Sequence, residues 1–220
     1  MPSVPIVLPQ IDDFRAEADE LHRLLATLKD SDWSRPTQFK QWTINDIVQH
    51  LHMGDAMGLA SARDPTAFEA LMIDIRARRA KGMTRVEETR DRLGGLTGAR
   101  LLVRWCEHLE QLCAALTAKG PNERLKWAGP DMGVRMFATA RQMETWAHGQ
   151  AIYDLLGLER PAPSPRIRNI AEIGVRTFGF AYRNRDLQID GFDLLIRVNE
   201  FTNLTPEGRR LWSYPSAAPK

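Results

Sequence analysis

The chain has little cysteine, no long apolar run and almost no excess of charge, and each shortage closes off a class of function. Cys106 and Cys113 are the whole thiol complement. They stand two helical turns apart, roughly 10.5 Å of rise, which is too far for a disulfide. They form no Cys-x-x-Cys pair either, and read as reduced core residues. Thirty basic residues against 28 acidic ones leave a net charge of +2, without the basic excess of a dedicated nucleic-acid binder. No stretch approaches the roughly 18 apolar residues of a membrane span. The opening residues lack a basic n-region and are broken by Pro2, Pro5 and Pro9, so no signal peptide is expected and the cytoplasm is the expected location. A glycine-rich phosphate loop, a nucleophile elbow and a His-Glu-x-x-His pattern are also missing.

What is present is helical periodicity in a soluble, globular composition, 43% hydrophobic with a mean hydropathy of −0.37. Phe14, Leu21, Leu24, Leu25 and Leu28 share one helical face, closed by Pro36. A second helix is expected after Thr43, an N-cap with Asp46 three residues on. Residues 65–92 are helix-prone and basic, and predict one helix and a mobile connection. A strong helix follows from Thr97, with Leu101, Trp105, Leu109, Leu112 and Leu116 inward, and stops at Gly120-Pro121. Another spans 134–156 and ends at Gly157. Four long amphipathic helices without strand signals between them predict a mainly α, four-helix bundle over 1–157. Residues 158–220 add a proline-rich linker, one helix over 166–183 and two strand-like runs, 192–198 and 210–214. A free hairpin edge makes a homodimer the default expectation.

Polar residues on apolar faces carry the chemical information. Relative to Ile47, His50 sits about 60° round, at the edge of the inward stripe, and His52 about 140° round, toward solvent. His22 and His108 read as surface or satisfied groups. On the 134–156 helix, Phe137, Ala140, His148, Ala151 and Leu155 all fall within about 40° of Glu144. A carboxylate and an imidazole side by side on an apolar face need compensation. Taken alone, Glu144 and His148 are most simply an intrahelical ion pair, with Arg141 beside them. The alternative is a divalent metal, with His50 as the third ligand from a facing helix. Two histidines and a carboxylate suit zinc, and also nickel, cobalt or iron. Three protein ligands leave a position open, as in catalytic sites.

The blocks Trp42-Thr-Ile-Asn-Asp-Ile-Val-Gln-His50-Leu51 and Arg141-Gln-Met-Glu144-Thr-Trp-Ala-His148-Gly149 resemble the metal-binding domain of the mycothiol-dependent maleylpyruvate isomerases, in the DinB-like superfamily. The resemblance covers residues 10–157. It implies a divalent metal, commonly zinc, on His50, Glu144 and His148. It also implies a small-molecule substrate and a low-molecular-weight thiol such as mycothiol, which attacks an electrophile as thiolate. For an unsaturated acid, addition and elimination then give cis–trans isomerisation; S-transfer is the related outcome. Arg141, Asp154 and Asp46 are expected to support the ligands or cap helices. Arg176 and Arg183, seven apart on the post-linker helix, are candidates for holding an anionic substrate. Isomerases of known activity carry a larger C-terminal α/β domain. Residues 166–214 resemble its opening portion, similar to a module elsewhere labelled for wyosine base formation, so a shortened version is expected here. Two competing readings remain, a metal-dependent hydrolase with water in the open position and a metal-stabilised module that binds without turnover.

Overall fold

The computed structural model describes residues 8–161, 165–183, 194–196 and 212–214. The chain divides into two compact units, Met1–Glu159 and Arg160–Lys220. In the first, α1 (Pro9–Leu25) opens on a proline, whose missing N–H would be unbonded there in any case. It turns Ile11, Phe14, Ala18, Leu21 and Leu25 inward. A single 3₁₀ turn, Asp30–Ser34, seats the buried Trp33 and leads to α2 (Ile44–Arg63). Thr43 caps α2, its hydroxyl accepting from the Asp46 N–H while the Asp46 carboxylate accepts from the Thr43 N–H, as the sequence spacing predicts.

Residues 65–92 depart from expectation. They form two helices, α3 (Pro65–Ala80) and α4 (Arg85–Arg92), in place of a helix and a mobile connection. Gly82, at φ 93°, ends the first. Thr84 and Glu87 then build a second capping box that starts the next. Ion pairs Arg92–Asp74 and Arg78–Asp91 tie the two together.

Helix α5 (Gly98–Thr117) buries Leu101, Trp105, Leu109, Leu112, Cys113 and Leu116. A ribbon unseen in the sequence follows, β1 (Arg124–Leu125) paired antiparallel with β2 (Met132–Gly133). Two-residue strands are too short to show alternation; the fully buried Leu125 anchors this pair. Helix α6 (Val134–Leu156) ends at Gly157, which takes the left-handed conformation at φ 65°.

Helices α1 and α2 each pack against α5 and α6. Within this four-helix bundle α1 therefore lies diagonal to α2 and α5 diagonal to α6, and α3 and α4 lie against α2 from outside. The core is continuous through Phe14, Leu21, Ile44, Ile47, Leu51, Trp105, Leu112 and Phe137. Each such side chain contributes roughly 1.5–3 kcal/mol by leaving water.

The second unit contains α7 (Ile167–Arg183) and a hairpin of β3 (Leu194–Ile196) with β4 (Trp212–Tyr214). Leu194 pairs with Tyr214 and Ile196 with Trp212. The strands lie within the two runs expected from sequence; the residues between them fall outside those described.

Candidate metal centre

Two glycines let α2 and α6 approach. Gly54 and Gly58 follow His50 at one-turn intervals on a single face of α2. A Cβ on Gly54 would sit 2.5 Å from an Arg141 guanidinium nitrogen, and one on Gly58 would sit 2.7 Å from the Phe137 ring. The α6 residues facing α2 thus run backward, with Phe137 at Gly58, Arg141 at Gly54, and Glu144 with His148 at His50. The helices are antiparallel, and their closest stretch leads directly to the polar cluster.

There the His50 Nε2 lies 3.0 Å from Glu144 Oε2, and His148 Nε2 lies 3.3 Å from the same oxygen. One ligand atom from each residue lies within 4.8 Å of the other two. The side chains are partly open, at 17%, 33% and 14% exposure for His50, Glu144 and His148. Hydrogen bonds to His148 and His50 hold the Glu144 carboxyl far below the usual range. Burial pushes the His50 imidazole below its ordinary value, against the pull of Glu144. An ionised carboxylate beside a neutral imidazole is the protonation state that metal ligation needs.

The donor set suits a divalent ion in kind, and two of its three spacings can be set against those of a bound metal. Tetrahedral zinc bound at about 2.0–2.2 Å spaces neighbouring donors roughly 3.3–3.6 Å apart. The 3.0 and 3.3 Å separations are close to that edge length, and the two nitrogens and one oxygen are a common zinc, nickel or iron set.

Aromatic rings fix the imidazoles. Phe39 meets His148 edge-on, with centroids 4.9 Å apart. Trp42 lies parallel to His148 at 6.0 Å and edge-on to His50 at 5.4 Å. These rings come from a tight loop closed by the Pro36–Thr43 bridge. At its tip, Trp42 N–H donates to the Phe39 carbonyl at 2.9 Å. Lys40 and Gln41 between them have φ of 51° and 59°, the positive pair of a type I′ turn.

Arg141 does not take the position expected from sequence. Its Nε donates to Asp55 at 2.9 Å and its terminal nitrogen to the Leu51 carbonyl. Asp55 also accepts from the Trp105 indole at 2.8 Å. Helical spacing relates Arg141 only to neighbours on its own helix, whereas this partner lies 86 residues away. Burial lifts the Asp55 carboxyl above its ordinary value, while Arg141 and Trp105 pull it back. Asp46 serves the α2 cap and accepts two bonds from Arg90, at 2.7 and 2.8 Å. Burial alone would raise the Asp46 pKa, but the bonds from Arg90 and Thr43 outweigh it and leave the carboxyl lowered. Asp154 accepts from Gln150 one turn earlier on α6.

His52 is a correction. It is 3% exposed, not solvent-facing, because α2 is covered on several sides by α3, α4, α5 and α6. Its ring packs edge-on against His108 at 4.5 Å. Arg176 and Arg183 lie on α7, in the second unit; Arg176 is exposed, and the Arg183 side chain is outside those described. Phe39, Asp55 and the paired glycines, which wall or brace the site, are not among the candidates that the sequence singles out. Only the Gly-x-x-x-Gly spacing after His50 signalled any of them.

Comparison with known proteins agrees with this architecture. The family model of the mycothiol maleylpyruvate isomerase N-terminal domain matches residues 14–153. An uncharacterised protein of Mycobacterium tuberculosis, found in two strains, is 38% identical over 174 residues, 79% of this chain and 66% of that protein. The chain thus spans about two thirds of the length of these relatives. The repressor-like immunity protein of Mycobacterium phage L5 is 57% identical over 42 residues, 19% of this chain and 22% of that protein. No solved structure matches.

Proposed function

The chain belongs to the mycothiol maleylpyruvate isomerase N-terminal domain family, and on that premise we propose a thiol-dependent isomerase or S-transferase acting on a small electrophilic acid. The observation that carries this reading is the convergence of His50, Glu144 and His148 from two helices at ligand spacing. These three residues would hold a divalent metal, and the donor set suits zinc, nickel or iron. When bound, that ion supplies an open position at which a thiol stays deprotonated at neutral pH.

The chain's own thiols are unsuited to the attack. Burial pushes Cys106 up to about 11 and Cys113 up to about 12. Both are thiols at neutral pH, so the nucleophile comes from solution, with mycothiol as the family's example. Thiolate addition to a carbon–carbon double bond leaves a single bond free to rotate. Expulsion of the same thiolate restores the double bond in the trans form, with no net redox change. The residues of the site position and desolvate. Before an ion enters, Glu144 holds both imidazoles in place through their Nε2 atoms, and Phe39 and Trp42 exclude water from one side. We also read the protein as cytoplasmic and dimeric; among the described residues no helix is long and apolar enough to cross a membrane.

The test is metal content by plasma mass spectrometry on untagged protein, wild type beside His148→Ala. About one ion per chain, lost in the variant, is expected. Turnover of unsaturated acids only with added thiol then separates this reading from a hydrolase, which would turn over without thiol. Absence of metal from wild type after incubation with zinc or nickel would sink the catalytic reading.

A further inference from the structure

We propose that Lys40, at the tip of the Pro36–Thr43 loop, is the anchor for a carboxylate on the molecule that the His50–Glu144–His148 site receives. The inference rests on the reading above for the site itself, and its own support is separate.

Lys40 sits on a short chain of contacts leading to the ligands. Its ammonium lies 5.4 Å from the centroid of Phe39, and that ring packs 4.9 Å from His148. The Lys40 side chain is exposed and makes no ion pair among the described residues, unlike Lys119, which is paired with Glu123, and Lys126, which is paired with Asp131. A solvent-facing ammonium that has no ion-pair partner and rests over a ring of the site's wall is placed to meet an anion there.

The backbone supports the same conclusion. A type I′ turn favours asparagine and glycine, because both central residues take positive φ. Here a lysine and a glutamine occupy those positions, at φ 51° and 59°. Left-handed conformation in such residues is unfavourable and clusters where function requires it. The Thr37 N–H and hydroxyl both donate to the Trp42 carbonyl, each at 2.8 Å. The loop is therefore held closed, with Lys40 fixed at its tip and the two rings fixed at its base. Lysine suits the role because its flexible stem reaches, and its compact charge accepts a carboxylate from many directions.

The carboxylate has two sources, the electrophilic acid or the thiol that attacks it, and the test separates them. Wild type, Lys40→Ala, Lys40→Glu and Lys40→Arg are loaded with zinc and titrated calorimetrically with maleate and with N-acetylcysteine. Dimethyl maleate and N-acetylcysteine methyl ester are the uncharged controls. Metal content is measured on every sample. We expect Lys40→Ala to weaken one of the two anions about fivefold, Lys40→Glu to weaken it further, and Lys40→Arg to stay near wild type. The methyl esters should not distinguish the variants, and metal content should not change. Lys40-dependent binding of maleate alone assigns the anchor to the electrophile, and of N-acetylcysteine alone to the thiol.

Equal affinities in wild type, Lys40→Ala and Lys40→Glu overturn the proposal, even with one metal per chain. Failure of wild type to bind either anion overturns it as well. A protein that takes up no zinc yet binds an anion through Lys40 keeps the anchor and removes the metal reading, so the two failures are distinct.

Discussion

Along the α2–α6 contact, one helical turn separates two polar clusters that the same helices treat in opposite ways. At Gly54, Arg141 and Asp55 are 3% and 0% exposed, and their charges cancel within the protein. At His50, a carboxylate meets two imidazole nitrogens and remains a third exposed. The first cluster is closed chemically, since Asp55 receives donors from α5 and α6 and returns nothing to solvent. The second is open, with two imidazoles on one carboxylate oxygen and all three side chains within reach of solvent. A sealed, self-compensated pair marks structure, and metal-ligating side chains gathered where solvent reaches mark a candidate site for something else.

The sharpest way to break this contrast is to open the closed cluster. Asp55→Ala leaves the Arg141 guanidinium buried and unpaired and takes a partner from Trp105. A loss of about 3–5 kcal/mol is expected from urea unfolding. Replacing Asp55 and Arg141 together by leucine and methionine should lose much less, since no charge is then stranded. A loss in Asp55→Ala below about 1 kcal/mol would show that water or a new partner reaches the guanidinium.

The two histidines of α2 carry the contrast into pH dependence. His50 opens toward Glu144, whereas His52 is sealed against His108, with no partner for its Nδ1. Burial, aided by His108 and Arg104, pushes His52 from an ordinary 6.5 down to about 4. On acidification the unfolded chain takes up this proton first. The His52 contribution is therefore flat above about pH 6.5 and falls between there and about pH 4, by on the order of 3 kcal/mol. His52→Phe should make that limb of the stability curve shallower, leaving the shares of His50 and His108, which burial also lowers, and should leave zinc uptake intact. A curve unchanged by the substitution would place the acid sensitivity elsewhere.

Gly54→Ala tests whether the close approach is what couples the clusters. The added methyl would meet the Arg141 guanidinium at 2.5–2.6 Å, and the guanidinium is held by Asp55 and Leu51, so it has little room to yield. Overpacking of this kind is expected to destabilise by about 1–3 kcal/mol. It should also weaken zinc binding, because separating α2 from α6 moves His50 away from Glu144. Wild-type zinc affinity in a destabilised Gly54→Ala would uncouple the two.

How much of this was legible in the sequence depended on the range of each interaction. The Thr43–Asp46 cap and the Glu144–His148 pair are written in three- and four-residue spacings, so the helices and half of the cluster followed from local rules. His50 entered because its edge-of-stripe position left it available to a facing helix. The ion pair Arg141–Asp55 spans 86 positions and leaves no local trace, so Arg141 was assigned to its nearest acidic neighbour instead. His52 was misplaced for a related reason. One apolar stripe describes a helix with one covered side, and α2 is covered on several. The Phe39–Trp42 turn was silent because lysine and glutamine stand where a type I′ signal would be asparagine and glycine.

That silence yields the smallest predicted effect and the one that bears most directly on the open cluster. Gln41→Gly removes the Cβ from a residue at φ 59° without touching Lys40, Phe39 or Trp42. If the turn is strained only by its side chains, glycine there should stabilise the fold by about 0.5–1 kcal/mol, read as a shift of the urea midpoint at constant slope. The rings keep their places, so zinc uptake should match wild type. A gain in stability with unchanged zinc uptake would mean that the turn carries a penalty the ligands do not need, and that the non-glycine residues answer to what binds beside them. A loss of stability would instead show that Gln41 makes contacts worth more than the strain, and would place the turn with the closed, self-compensated half of the molecule.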